Sequence, residues 1–142
     1  MWIHGTSVQP EWLDRIESIT RQGLHTRIVC KPDTYNWFHF AITTPVILSD
    51  KRLKLDSIIV TFKTGTQAPV TAVHVRDGGR DPPIAVHEDI SMAGDHPFER
   101  YGVPGQPEVF FGIGIALRVD SQSDPTQNWI EFSSAGADFL DI

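Results

Sequence analysis

The chain has 142 residues and a net charge of −6, with 40% hydrophobic and 21% charged residues, an ordinary globular composition. The acidic balance argues against nucleic acid and anionic membranes as partners, because both attract clustered Lys and Arg side chains. A single cysteine, Cys30, excludes a disulfide within the chain. The length predicts one domain, residues 1–142.

The N-terminal third gives the weaker structural signals. Short strands are predicted at 2–9, 16–21 and 26–29, where β-branched and aromatic residues are frequent. Residues 11–20 also place apolar side chains at helical spacing after Pro10. The sequence therefore leaves helix and strand open for that segment.

Further along the chain, apolar and polar residues alternate with a period of two, which predicts strands. The runs are 37–42, 58–62, 73–76, 84–87 and 129–132. Gly, Pro and Asp clusters separate them and predict turns. Residues 89–108 lack the alternation, so we expect a long surface loop, whose function the sequence leaves open.

The strongest pattern predicts one long strand over residues 109–120. Its apolar face is Val109, Phe111, Ile113, Ile115, Leu117 and Val119. The other face carries Gly112, Gly114 and Ala116, which leave space where side chains would stand. We expect aromatic rings from a neighbouring strand to fill that space, with a ligand groove as the alternative.

Eight or nine short strands separated by turns predict an all-β fold. We expect a single-domain antiparallel β-sandwich, jelly-roll-like, with a barrel as the alternative. The start of the sequence has neither the basic nor the apolar region of a signal peptide. The compartment stays unknown, with the cytoplasm as the default expectation.

Four segments together resemble a known family: residues 2–8, 36–39, 44–48 and 134–139. They resemble a family of small uncharacterised bacterial proteins with predicted β-sandwich folds, and the similarity runs nearly end to end. The resemblance implies the fold and a single domain. It implies no activity, cofactor or functional residue.

Two tryptophans are the main candidates for ligand binding. Trp37 and Trp129 each occupy the strand phase opposite to the apolar set, so we expect both indoles to point outward. Exposed indole rings offer a large flat face on which sugar rings stack. The polar residues predicted to supply hydrogen bonds beside them are His39, Glu131, Asn36 and Asn128.

The sequence predicts no catalytic site, metal site or cofactor. No His, Cys or carboxylate spacing matches a known metal motif, and no nucleotide-binding or G-x-S-x-G motif is present. Cys30 is expected to be a buried apolar residue rather than a nucleophile. If the protein is an enzyme, His74, His39 and Glu131 are the acid–base candidates, since they lie opposite the core phase.

These observations favour a non-catalytic binding or self-assembly module. In one version the aromatics bind a glycan in the manner of a lectin. In the other they bury against a second copy of the chain, forming a homo-oligomer. The alternative is a small β-fold enzyme that acts on an apolar small molecule in an internal pocket.

Overall fold

The computed structural model describes residues 1–140, which form an antiparallel β-sandwich that is not closed into a barrel. No helix in this range is long and apolar enough to cross a membrane. The strands are β1 Trp2–His4, β2 Gln9–Pro10, β3 Ile16–Arg21, β4 Thr26–Cys30, β5 Tyr35–Ala41, β6 Ile47–Leu48, β7 Lys51–Arg52, β8 Lys54–Thr64, β9 Val70–Asp77, β10 Ala85–His87, β11 Asp95–Gly102, β12 Ile113–Asp120 and β13 Trp129–Leu140.

Two sheets make up the sandwich. The six-stranded sheet has the order β11-β8-β13-β4-β3, and the short β1 pairs with β13. The five-stranded sheet has the order β10-β9-β12-β5-β2. A small hairpin, β6-β7, completes the fold. Most neighbouring strands are distant in the sequence, so the order could not be derived from local patterns.

The core lies between the sheets and is filled by the apolar phase of each long strand. Phe38 and Phe40 of β5 point inward from the five-stranded sheet and are at most 1% exposed. Both rings meet Phe132 of β13, with centroids 5.2 and 5.6 Å apart. Burying a Phe side chain contributes about 1.5–3 kcal/mol. This packing fixes the inward phase of β5 and turns its alternate residues outward.

The predicted strand over 109–120 is too long by four residues. β12 begins at Ile113, and Phe111, predicted to be inward, is 66% exposed. The cause is Asp77, whose carboxylate accepts hydrogen bonds from the backbone N–H groups of Phe110, Phe111 and Gly112 at 2.8–3.0 Å. These donors are therefore turned toward a side chain instead of a neighbouring strand.

Two further segments bear on the sequence predictions: 89–108, which was predicted to be a loop, and 11–20, for which helix and strand were left open. The predicted loop 89–108 contains β11, which pairs with β8 at the edge of the six-stranded sheet. Phe98 on this strand is exposed, Tyr101 packs against the core, and the register shifts between His96 and Glu99, so no regular alternation marks the strand in the sequence. The open segment 11–20 begins with a 3-10 turn, Leu13–Arg15, and continues as the strand β3.

Candidate functional site

A groove of about 460 Å³ lies on the outer face of the five-stranded sheet. Its floor is formed by Gly114 and Ala116 of β12. The two walls contain Glu11, Trp37 and His39 on the β5 side and His74, Arg76 and Gly79 on the β9 side. We call this concavity the central groove.

Strand register explains why the central groove forms here. His39 on β5, Ala116 on β12 and His74 on β9 are directly paired across three strands. Neighbouring strands are about 4.8 Å apart, so the backbones that carry the two histidines are about 10 Å apart. Ala116 between them is too small to fill the space. The row next to it repeats the arrangement, with Gly114 in the middle.

The expectation that aromatic rings fill the glycine face is wrong at Gly114. A Cβ atom placed on Gly114 would meet no atom within 4 Å. The space above Gly114 is therefore open, which is the alternative that the sequence left standing. Ala116 differs, because it is only 8% exposed and the rings of Trp37 and His74 meet across β12 beside it. Gly112, the third residue of the predicted glycine face, precedes β12 and has a φ of 149°.

Trp37 is the aromatic side chain of the central groove. It lies on the outer face because its neighbour Phe38 is fully buried in the core. The indole is half-buried and leans across the sheet onto the imidazole of His74, with ring centroids 4.7 Å apart and planes at 50°. A ring supported on one side by another ring is held in place without being covered completely.

Carboxylates hold the basic groups of the central groove. His39 Nε2 lies 3.1 Å from Glu11 Oε1, and His74 Nε2 lies 2.8 Å from Glu88 Oε1. Each pairing leaves the imidazole Nδ1 without a role in that contact. The groove is thus lined by polar groups that are held in fixed orientations.

Arg76 has the same kind of partner. Its guanidinium donates to Asp81 Oδ1 at 2.8 Å. Exposed ion pairs of this type contribute little stability, about 0–1 kcal/mol. The ion pair with Asp81 matters here because it fixes the position of the Arg76 guanidinium at the groove.

A second concavity of about 340 Å³ lies on the same face, and Trp37 lines it as well. We call it the distal concavity. Its other lining residues are Thr71, Ala72, Glu88, Asp89, Ile90, Arg118 and Asp120. Trp37 therefore stands between two hollows on one sheet.

The polar wall of the distal concavity is a fixed network. Arg118 donates to both carboxylate oxygens of Asp120 at 3.1 and 3.2 Å, and the Thr71 hydroxyl donates to the same carboxylate. The Arg118 guanidinium also lies 4.1 Å from the centre of the Tyr35 ring. These contacts restrain a side chain that would otherwise carry considerable rotamer freedom.

The structure brings two of the six predicted ligand-binding residues into the central groove, Trp37 and His39. Trp129 and Glu131 lie on β13 in the six-stranded sheet, on the opposite outer face. Trp129 is half-buried, with the Arg27 guanidinium 4.3 Å from its ring centre. Glu131 is paired with His25 Nε2 at 2.7 Å.

The predicted amides, Asn36 and Asn128, are both buried, at 2% and 1% exposure. Asn36 Oδ1 accepts hydrogen bonds from the backbone N–H groups of Trp12 and Trp37, and Nδ2 donates to the Trp12 carbonyl. This amide therefore ties the segment after β2 to β5. Neither asparagine lines the central groove or the distal concavity.

The structure also places the residues that the sequence offered for acid–base catalysis, nucleophilic catalysis and metal binding. His39 and His74 face each other across the groove, whereas Glu131 is on the other sheet. Burial raises the pKa of the Cys30 thiol to about 11, with the Ser121 hydroxyl bond acting in the opposite direction. Within residues 1–140, no group of three or more His, Cys, Asp or Glu side chains could hold a metal ion.

Sequence reasoning missed Glu11 and Arg76. Arg76 shares the outward phase of His74, and that phase was available as a signal. Glu11 reaches the groove because its backbone N–H donates to the Trp37 carbonyl at 2.8 Å. This contact spans distant segments, so no local pattern in the sequence indicates it.

Two of the solved structures with a similar fold are a carbohydrate-binding module and a cyclase. One is a low-affinity xylan-binding module, CBM86, from Roseburia intestinalis, with a TM-score of 0.59 and 9% identity, covering 99% of this chain and 95% of that one. The other is the Stig cyclase Fisc from Fischerella sp. TAU, with a TM-score of 0.52 and 10% identity, covering 99% and 90%. At these identities the likeness shows the fold alone.

Comparison by sequence identifies the family. No curated protein matches the chain. Residues 1–140 match DUF6623, which is described as a family of unknown function. The match covers nearly the whole chain, in agreement with the end-to-end resemblance seen in the sequence. The chain therefore belongs to the DUF6623 family.

Proposed function

We propose that the protein is a non-catalytic carbohydrate-binding module and that the central groove is its binding site. One observation carries the proposal: the half-buried indole of Trp37 lines a groove that is open above Gly114.

The chemistry of the walls suits a sugar. The apolar C–H face of a pyranose or furanose ring stacks on the indole of Trp37. Its hydroxyl groups meet the His39–Glu11 pair, which offers a donor and an acceptor close together. A few oriented polar groups around an apolar surface are the usual composition of a small-molecule site.

The xylan-binding module with a similar fold supports the proposal only in a general way. The cyclase has a similar fold too, so architecture alone does not separate binding from catalysis. The proposal therefore rests on the groove. Xylan and other neutral polysaccharides are the first ligands to test.

An enzyme with an internal apolar pocket is the alternative, and the fold likeness to the cyclase is its support. The aromatic rings of Phe38, Phe40 and Phe132 occupy the space between the sheets. The central groove and the distal concavity are instead lined by outward-facing, polar side chains. Binding at the outer face accounts for these two features more directly.

Homotypic association is a second form of the binding proposal. The exposed rings of Phe110 and Phe111 support it, because solvent-exposed aromatic groups often meet a partner. The sheet edges do not favour strand-to-strand growth. β2 and β10 have two and three residues, β11 contains Pro97, and the six-residue edge strand β3 carries the charged Glu17 and Arg21. Sedimentation velocity over a wide concentration range tests it, and a constant monomer contradicts it.

The experiment for carbohydrate binding is isothermal titration calorimetry with soluble xylan, barley β-glucan and mannan. Trp37→Ala is the test variant, and Trp129→Ala on the opposite face is its matched control. We expect binding of at least one polysaccharide, lost in Trp37→Ala and retained in Trp129→Ala. Binding that survives Trp37→Ala, or absence of binding to the whole panel, contradicts the proposal.

A further inference from the structure

We infer that the ligand is a linear, uncharged glycan chain that runs along β12 and occupies both the central groove and the distal concavity, crossing Trp37 between them. This inference rests on the proposed function and deepens it. It assigns the distal concavity as a second subsite. It also states the ligand's charge and shape.

The first argument is the arrangement of the two hollows. Trp37 lines both of them, so the indole lies at their junction. The central groove contains Gly114 and Ala116, and the distal concavity contains Arg118 and Asp120, which follow on the same face of β12. The hollows are therefore consecutive along the strand direction.

The second argument is length. From Gly114 to Asp120 the chain advances six residues, which corresponds to about 20 Å in an extended strand. A single sugar ring cannot span that distance, whereas a short oligosaccharide can. A ring stacked on Trp37 would then leave neighbouring units over Gly114 on one side and beside Arg118 on the other.

The third argument is pre-organisation of the distal wall. Arg118 is restrained by Asp120 and by the Tyr35 ring, as described above, and Asp120 is restrained further by Thr71. A restrained guanidinium loses little additional freedom when it donates to a ligand oxygen. The distal concavity thus has the character of a binding surface rather than of a mobile polar edge.

The fourth argument is charge. Carboxylates outnumber guanidinium groups in the combined lining of the two hollows: Glu11, Glu88, Asp89 and Asp120 against Arg76 and Arg118. Each of these two arginines already has a carboxylate partner. A polyanionic glycan would place its own charges among these carboxylates, which is unfavourable. A neutral chain avoids that cost.

The experiment is calorimetry of the full chain with two neutral ladders, xylo-oligosaccharides and cello-oligosaccharides from the disaccharide to the hexasaccharide. Oligogalacturonates are the anionic comparison. We expect affinity to rise by about 10-fold or more from disaccharide to hexasaccharide in one neutral ladder, which is about 1.4 kcal/mol. Oligogalacturonates of the same length should bind at least about 10-fold more weakly.

Arg118→Ala tests the second subsite directly. It should weaken hexasaccharide binding by about 10-fold and leave disaccharide binding within about 2-fold. Arg27→Ala is the matched control, because Arg27 also lies over an aromatic ring, that of Trp129, but on the other sheet. Circular dichroism and thermal unfolding of both variants check that the fold is retained.

The outcomes separate this inference from the proposed function. If neither ladder nor polysaccharide binds, the proposed function fails and this inference fails with it. If glycans bind through Trp37 but affinity is already maximal at the disaccharide, the proposed function stands and the extended site is wrong. Equal hexasaccharide binding by Arg118→Ala and Arg27→Ala contradicts the second subsite, and tighter binding of oligogalacturonates contradicts the neutral ligand.

Discussion

The imidazole of His74 on β9 supports the indole of Trp37 on β5 across the intervening strand β12, with ring centroids 4.7 Å apart. The two residues are 37 positions apart and lie on strands that are both hydrogen-bonded to β12. His74 is in turn held by Glu88. Positioning of the proposed sugar platform is thus shared by three segments of the chain.

This contact predicts different effects for two substitutions of His74. His74→Ala removes the supporting ring, so glycan affinity should fall by about 10-fold, because Trp37 gains rotamer freedom that binding must remove. His74→Phe keeps an aromatic ring and should stay within about 3-fold of the wild type. Calorimetry on the best polysaccharide ligand measures both. Equal losses in the two variants would mean that the imidazole binds the ligand itself rather than supporting Trp37.

The glycine floor makes a second prediction. A Cβ on Gly114 meets no atom within 4 Å, so Gly114→Leu should fold normally and place its side chain in the central groove. Binding should fall by about 10-fold or more, since the leucine occupies the volume meant for the sugar. Gly102→Leu is the matched control, because a Cβ there also meets open space but on β11 of the other sheet. Unchanged binding in Gly114→Leu would exclude the groove as the site.

Asp77 predicts a pH-dependent contribution to stability. Burial of its carboxyl raises the pKa, but hydrogen bonds from the N–H groups of Gly112, Phe110 and Phe111, together with the Arg80 charge, bring the pKa below its ordinary value. A lowered folded-state pKa gives stability that is present above about pH 4, the pKa range of an unfolded aspartate. That stability is lost as the pH falls through the folded-state pKa.

Asp77→Asn should therefore reduce the free energy of unfolding by about 1–3 kcal/mol at neutral pH, because its amide cannot accept from all of these donors. The difference from the wild type should shrink below about pH 4. Asp81→Asn, at a side chain that is 84% exposed, is the control and should change stability by less than about 0.5 kcal/mol. Urea unfolding at several pH values tests this, and a difference that does not vary with pH contradicts the assignment.

The close contact between Gly65 and the indole of Trp129 gives a prediction about stability. A Cβ on Gly65 would lie 2.2 Å from the Gln127 carbonyl oxygen and 2.8 Å from the Trp129 Nε1 atom. Gly65→Ala should therefore destabilise the protein by about 1–3 kcal/mol, since backbone and indole must both shift. Gly23→Ala, whose Cβ would meet nothing within 4 Å, should be nearly neutral. Equal melting temperatures for these two variants would contradict the packing.

The pKa of Cys30 predicts its reactivity. Burial raises this pKa to about 11, so at about pH 8 only a very small fraction of the thiol is ionised. A thiol reagent such as 5,5′-dithiobis(2-nitrobenzoic acid) should react with Cys30 only after unfolding in denaturant. Rapid labelling of the native protein would contradict both the burial and the assignment of Cys30 as a core residue.

The alternation of apolar and polar residues predicts the strands that have one face in the core, and it fails for strands without such a face. Hydrophobic periodicity predicts that Phe38 and Phe132 point inward. Because successive residues of a strand point to opposite faces, it also predicts that Trp37 points outward. β11 carries no such signal, because its pairing register shifts between His96 and Glu99 and its aromatic Phe98 is exposed. The start of β12 at Ile113 depends on Asp77, which lies 36 positions earlier, so the local pattern predicts too long a strand.

The candidate site was predictable only in part for the same reason. Trp37 and Trp129 have the same strand phase and equivalent asparagine neighbours, so the sequence treats them alike. They differ in which sheet their strands join, and strand order is set by long-range pairing. The open space at Gly114 likewise depends on Ala116 and on the walls contributed by β5 and β9, none of which is adjacent to it in the chain.

The most direct test of the binding site is to follow backbone amides by 1H–15N NMR spectroscopy while titrating the isotope-labelled protein with the tightest-binding neutral oligosaccharide. We expect the largest chemical-shift changes at His39, His74, Gly114 and Ala116, around the Trp37 indole. Changes that cluster instead around Lys63 and Glu131 on the opposite sheet would contradict the assignment of the central groove.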